Sequence, residues 1–225
     1  MVDRTLIVQF LKGKSPKRTY IFYLLGLLGF FTISLLISVL IFPEPFSFRE
    51  IWISSLGDPT KNYLIGYLIF DVGFILASLG LIPVFINFYY RLETFHSILR
   101  WILLGLWIIG TLSFGSIGIL HDKIQPIHDI FSGIAFASLS FAFLLLWMVY
   151  IINAIIRKSS SSLLGISLSI GQLALFWILL FAIPVRNHID FGDFAPWEWV
   201  GTFSIIFSIF LVSLFLPKLA LNDSI

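Results

Sequence analysis

From Ile21 to Phe42 the chain runs for 22 residues without a charged side chain. A helix needs about 20 such residues to cross the hydrocarbon core of a bilayer. Five further stretches meet the requirement: Leu64–Tyr89, Trp101–Leu120, Ile130–Ile156, Leu163–Val185 and Trp197–Leu216. A backbone in lipid must satisfy its own hydrogen bonds, and a helix does so within one segment. The expectation is therefore an all-α polytopic membrane protein, a six-transmembrane-helix bundle forming a single membrane domain over residues 1–225. The chain is 59% hydrophobic and only 12% charged. Soluble domains carry about 25% charged residues, so this chain has too few to cover a water-facing surface. Disordered, disulfide-scaffold and nucleic-acid-binding classes are excluded, because each needs polar, cysteine-rich or strongly basic composition. With no cysteine, the chain has no disulfide, thiolate zinc site or cysteine nucleophile.

Proline marks the span ends. Pro16, Pro43, Pro45, Pro59, Pro126, Pro184, Pro196 and Pro217 all fall where a missing N–H does least harm. Pro83 alone sits inside a span, after Gly80, and predicts a kink there. Residues 1–20 read as a basic cytoplasmic segment. The first apolar stretch reads as a permanent span, since Pro43-Glu44-Pro45 follows it in place of a small-residue cleavage site. Arg4, Lys12, Lys14, Lys17, Arg18, Arg91, Arg100, Arg157, Lys158 and Lys218 fall on one side of a six-span arrangement. Arg49, Lys61, Lys123 and Arg186 fall on the other, so the positive-inside rule puts both termini in the cytoplasm of a plasma-membrane protein. The Lys12–Arg18 cluster sets topology and anchors the first span; anionic lipid binding is the alternative. Gly26, Gly29, Gly105, Gly110, Gly115, Gly118 and Gly133, with Ala135, Ala137 and Ser140, are expected where helices approach closely. The 25 Phe residues read as lipid-facing and packing filler.

Chemistry-bearing side chains gather on the predicted outer face. Glu44, Glu50, Asp58, Asp122, Asp129, Asp190, Asp193 and Glu198 lie there, as do His121, His128 and His188. Gly57-Asp58-Pro59 reads as a helix start, with Asp58 as N-cap. Alternatively, the loop folds over the bundle mouth and offers Ser54, Ser55 and Asn62 to a polar ligand. His121-Asp122 and His128-Asp129 are two His–acid pairs, and a neighbouring carboxylate sets the tautomer of a base or metal ligand. His128 and Ser132 share a helix face, which permits a His–Ser pair. The structural alternative makes Asp129 a helix-terminus charge and the histidines headgroup-level amphiphiles. Glu198 belongs to a first helical turn, and Trp197 and Trp199 read as interfacial anchors. Asp71 is an intramembrane acid near the bilayer midplane, with Gln172 as the one comparably polar candidate partner.

Three segments together resemble the membrane family called domain of unknown function 998. They are Ser54-Ser55-Leu56-Gly57, the stretch Ile69-Phe70-Asp71-Val72-Gly73-Phe74-Ile75-Leu76, and the helix opening at His128 that runs through small residues to Phe136. Asp71 stands where that family's pattern has Asn, and Leu120-His121-Asp122 replaces a Phe-Pro-Glu-like stretch. A more distant likeness is to the Frag1/DRAM/Sfk1 group, some of whose members handle lipids or lipid anchors. The resemblance implies a six-span fold and assigns no activity.

The leading functional expectation is an outward-facing polar pocket that binds or modifies a membrane-lipid headgroup. His128 would be its base or a ligand, with His121 and Asp122 as partners. Ser55, Asp58, Asn62, Ser132, His188 and Glu198 would be ligand contacts, and a divalent metal at the outer His/Asp cluster would be a cofactor. A transporter or channel using Asp71 and a non-catalytic membrane scaffold are the alternatives. Topology is testable directly: cysteines placed at Ser160 and Lys123 should react with an impermeant thiol reagent from opposite sides, Lys123→Cys from outside. Labelling of both from one side would overturn the six-span arrangement.

Overall fold

A computed structural model describes residues 4–48, 50–93, 95–120, 126–156, 170–171 and 195–220. Every long element among them is an α-helix: α1 (Arg4–Leu11), α2 (Lys17–Leu40), α3 (Leu64–Arg91), α4 (Ser97–Ile117), α5 (Ile127–Ile156) and α6 (Ala195–Ala220), with a 3₁₀ turn at Ser54–Gly57. α2, α3, α4 and α5 are long and apolar enough to cross a membrane, and α6 carries a shorter apolar segment, Glu198–Leu214. The expected span Leu163–Val185 lies outside the described residues, apart from Ile170 and Gly171.

Successive helices pack as neighbours, α2 on α3, α3 on α4 and α4 on α5, and α6 returns to touch α5, α2 and α3. The half of the bundle near the C-terminal end of α3 is filled by aromatic rings. Phe85 stacks on Trp107 at 5.2 Å, with Phe88 and Phe143 against the same indole. Nearer the other end, Phe74 lies between Phe31, Phe70 and Phe114. Phe70, Phe74, Phe85, Phe88 and Phe143 are buried packing residues, whereas Phe22, Phe30 and Phe141 are exposed. Rings give large buried area with few rotors to freeze, which suits a bundle that gains nothing from burying aliphatics already in lipid.

Small residues set the helix spacing, at positions that differ in part from those expected. A Cβ on Gly73 would stand 2.6 Å from the Ser34 Cβ, and one on Gly110 would stand 2.7 Å from Leu139. Gly115 faces Ser78, and Gly118 faces Phe74 and the Asp71 backbone. Among the described residues nothing lies within 4 Å of where a Cβ on Gly26, Gly29, Gly105 or Gly133 would stand. α3 runs on through Pro83 to Arg91. The Tyr23 hydroxyl donates to the Gly80 carbonyl at 2.9 Å, next to Leu79, whose carbonyl has no ladder donor because Pro83 lacks an N–H.

The N-terminal segment is built rather than merely basic. α1 ends in a Schellman turn: Gly13 at φ 70° donates to Phe10 O, and Lys14 N–H donates to Gln9 O. Asn87 Nδ2 donates to Phe10 O, and Arg91 donates through Nη2 to Ser15 O at 3.1 Å and through Nε to Asn87 Oδ1 at 2.7 Å. The Arg91 guanidinium also lies over the Tyr20 ring. Tyr20 OH bonds to Ser213 Oγ at 2.9 Å, tying α2 to α6. Gly73→Leu should lower thermal stability by about 1–3 kcal/mol, the usual cost of overpacking a tight contact. Gly26→Leu, in open space, should leave the melting temperature in detergent unchanged; equal effects would contradict the α2–α3 packing.

Candidate functional site

The segment between α2 and α3 folds back against the bundle instead of standing off it. Ile51, Ile53 and Leu56 are buried beneath it. Trp199, expected as an interfacial anchor, is only 4% exposed and donates from Nε1 to Ile51 O at 2.8 Å. Phe46 and Phe48 meet its ring edge-on at 5.5 and 5.0 Å. A buried indole N–H is stabilised by an acceptor, and a non-helical carbonyl in the loop supplies one here.

The polar residues of this segment bond mainly to one another. Ser54 donates to Glu198 Oε2 through N–H (3.3 Å) and Oγ (3.5 Å). Asp58 does not cap α3, which starts at Leu64; its Oδ1 accepts from Thr60 N–H at 2.8 Å and Thr60 Oγ1 at 2.6 Å. This Asx-type turn wins because it satisfies two donors locally, leaving Pro59 inside the turn rather than at the first helical position. Lys61 Nζ lies 3.9 Å from Asp58 Oδ2 and donates to Ser55 Oγ at 3.4 Å. Asn62 is 6% exposed and uses its whole amide. Nδ2 donates to Leu56 O (2.7 Å) and Ser38 Oγ (3.1 Å), while Oδ1 accepts from Tyr63 N–H (2.8 Å). Ser38 Oγ passes the bond on to Gly66 O at 2.9 Å. Ser55, Asp58 and Asn62 are thus buried fasteners of a plug rather than walls of an open pocket.

His128, also buried, closes a second polar group at the start of α5. Its Nδ1 lies 2.6 Å from Leu120 O, so Nδ1 carries the proton, since a carbonyl only accepts. Nε2 is then the acceptor, and Ser132 Oγ lies 3.4 Å from it. That is the order of a base beside a hydroxyl, with a backbone carbonyl where an acid orients the ring in a triad. The contact is longer than the ~2.6–3.2 Å of a working nucleophile–base pair. Asp129 is exposed beside it. His121, Asp122 and His188 lie outside the described residues, as does Gln172. Among the described residues no group of three His, Cys, Asp or Glu side chains could hold a metal ion. The fourth histidine, His96, caps α4 by accepting from Ile98 N–H.

Asp71 lies about 10 Å along α3 from Leu64. Its Oδ1 would be 2.9 Å from a Cβ on Gly57, and its backbone meets Gly118, just past the end of α4. The inward-folded plug therefore reaches it. Asp71 Oδ1 is buried without a hydrogen-bond partner among the described residues.

Between α2 and α3 runs a groove of about 470 Å³, lined by Phe30, Ile33, Ser34, Ile37, Ile65, Leu68, Ile69 and Val72. Ser34 Oγ turns away to its own helix, donating to Phe30 O, so the walls are almost wholly apolar. Lys61 and Tyr63, both exposed, precede α3 at the end where Ile37 and Ile65 face each other.

Compared with known protein families, curated proteins and solved structures, the chain matches none. Asn62→Ala should cost about 2 kcal/mol, because it strands the buried Leu56 carbonyl. Asp129→Ala, at an exposed position, should cost less than about 0.5 kcal/mol. Thermal denaturation in detergent reads both, and an indifferent Asn62→Ala would show that the plug is not held by this amide.

Proposed function

We propose that the protein is a six-span plasma-membrane bundle, with both termini cytoplasmic, that binds a membrane phospholipid. One acyl chain lies along the α2–α3 groove, and the headgroup sits at the Lys61–Tyr63 end. The groove carries this reading: it is apolar, open along its side and about 470 Å³ in volume. An ammonium and a phenol at its mouth suit the phosphate and glycerol level of a bilayer, where amphipathic side chains place a polar tip in water and a stem in lipid. Six spans and the resemblance to domain of unknown function 998 belong to the same proposal, and the more distant lipid-handling likeness points the same way.

Binding is favoured over modification of the lipid. The His128–Ser132 contact is long, and the plug residues Ser55, Asp58 and Asn62 already bond within the chain. A second reading, ion- or proton-coupled transport, draws on one observation, an Asp71 Oδ1 that is buried without a partner among the described residues. A charged acid without a partner at membrane depth is costly, so such residues mark ion and proton paths.

Filling the groove separates the two readings. The double variant Ile37→Phe/Leu68→Trp should lose most of the phospholipid that co-purifies with the wild type, while melting within a few degrees of it. Asp71→Asn should keep that lipid. Undiminished lipid in the groove-filled protein would overturn the lipid reading. Loss of ion-coupled flux in Asp71→Asn proteoliposomes, with the fold intact, would establish the transport reading instead.

A further inference from the structure

At the opposite end of the bundle, α1 combines fixed placement with an uncovered apolar face. The Schellman turn at Gly13, the Asn87 bond to Phe10 O and the Arg91 bond to Ser15 O hold it against α3. Phe10 packs on Tyr20 and Tyr23, with centroids 5.8 and 4.9 Å apart. The helix is thus oriented, and is no free tail.

Leu6, Ile7 and Val8 nevertheless remain 56, 49 and 47% exposed. Thr5, Gln9 and Lys12 lie at helical spacing on the polar side. Holding three adjacent aliphatic side chains open to water would be unfavourable, so something apolar covers them. Position and charge say what. α1 lies beside the first turns of α2 and the last turn of α3, the level at which these spans leave the hydrocarbon. No acidic residue occurs from Arg4 to Pro43, while Lys12, Lys14, Lys17 and Arg18 are all exposed. Arg91 adds nothing outward, because its guanidinium is turned onto Ser15 O, Asn87 and the Tyr20 ring. Among the described residues, Glu93 is the one exposed acid at the same end, against four outward-facing cations.

We propose that α1 is an interfacial helix that seats Leu6, Ile7 and Val8 in a leaflet of anionic phospholipid, held there by Lys12, Lys14, Lys17 and Arg18. Apolar burial sets its depth, and attraction of the basic cluster to acidic headgroups adds selectivity. This goes beyond the α2–α3 groove, which lies at the other end of the bundle and needs no acidic lipid.

Because the chain has no cysteine, a single introduced thiol carries a single spin label. Full-length Ile7→Cys and Gln9→Cys, both at exposed positions, are labelled and reconstituted into phosphatidylcholine vesicles with or without phosphatidylglycerol. In the acidic vesicles the label at 7 should be reached by oxygen and shielded from a water-soluble nickel complex, with the reverse at 9. The contrast should shrink in pure phosphatidylcholine and in the Lys12→Glu/Lys14→Glu background. Equal nickel access at the two positions would overturn the proposal and leave a protein partner as the cover. The same depth with and without the acidic lipid would equally overturn it.

Discussion

The amide of Asn62 lets a stretch of non-helical chain lie against a membrane bundle. Between α2 and α3 the backbone is not helical throughout, and its carbonyls cannot be left bare at the edge of a low-dielectric region. Asn62 meets Leu56 O, Ser38 and Tyr63 N–H at once, and so joins the 3₁₀ turn, the end of α2 and the start of α3. Ser38 relays the bond to Gly66 O, and Gly66 has no side chain because the Asn62 amide occupies that space. Trp199 fastens the same segment from α6, so the loop becomes a wall shared by three helices.

The helices were legible in the sequence because uncharged runs of about 20 residues have few structural solutions. Helix ends are shifted by a few residues: α2 begins at Lys17 and α5 at Ile127, since a long basic or polar side chain can continue a helix while reaching water. α1 was missed although its signals were present, with Gly13 after Leu11-Lys12 and Pro16 just beyond. A span-length window passes over an eight-residue helix. Asn87 and Arg91 were passed over for a different reason: their partners are backbone carbonyls of residues 10 and 15, which no local pattern announces.

At the candidate site the sequence located the polar residues but not what they bond. Ser54, Asp58, Asn62, His128 and Glu198 do lie on loops and helix starts beyond the apolar spans, yet burial turns most of them toward the chain itself. Gly-Asp-Pro fits a helix cap and an Asx turn equally well, and the choice depends on where Thr60 points. The groove had no sequence signature at all. It arises because Gly73 draws α2 onto α3 at Ser34 while Ile33, Ile37, Ile65 and Leu68 splay apart on the lipid side.

The clamp on α1 also imposes an order on biogenesis. Phe10 and Ser15 leave the ribosome well before the groups that bind their carbonyls, Asn87 and Arg91, which lie 77 and 76 positions later. Until α3 has been synthesised and packed against α2, the N-terminal segment has no latch, and its closure marks the completion of that helical pair.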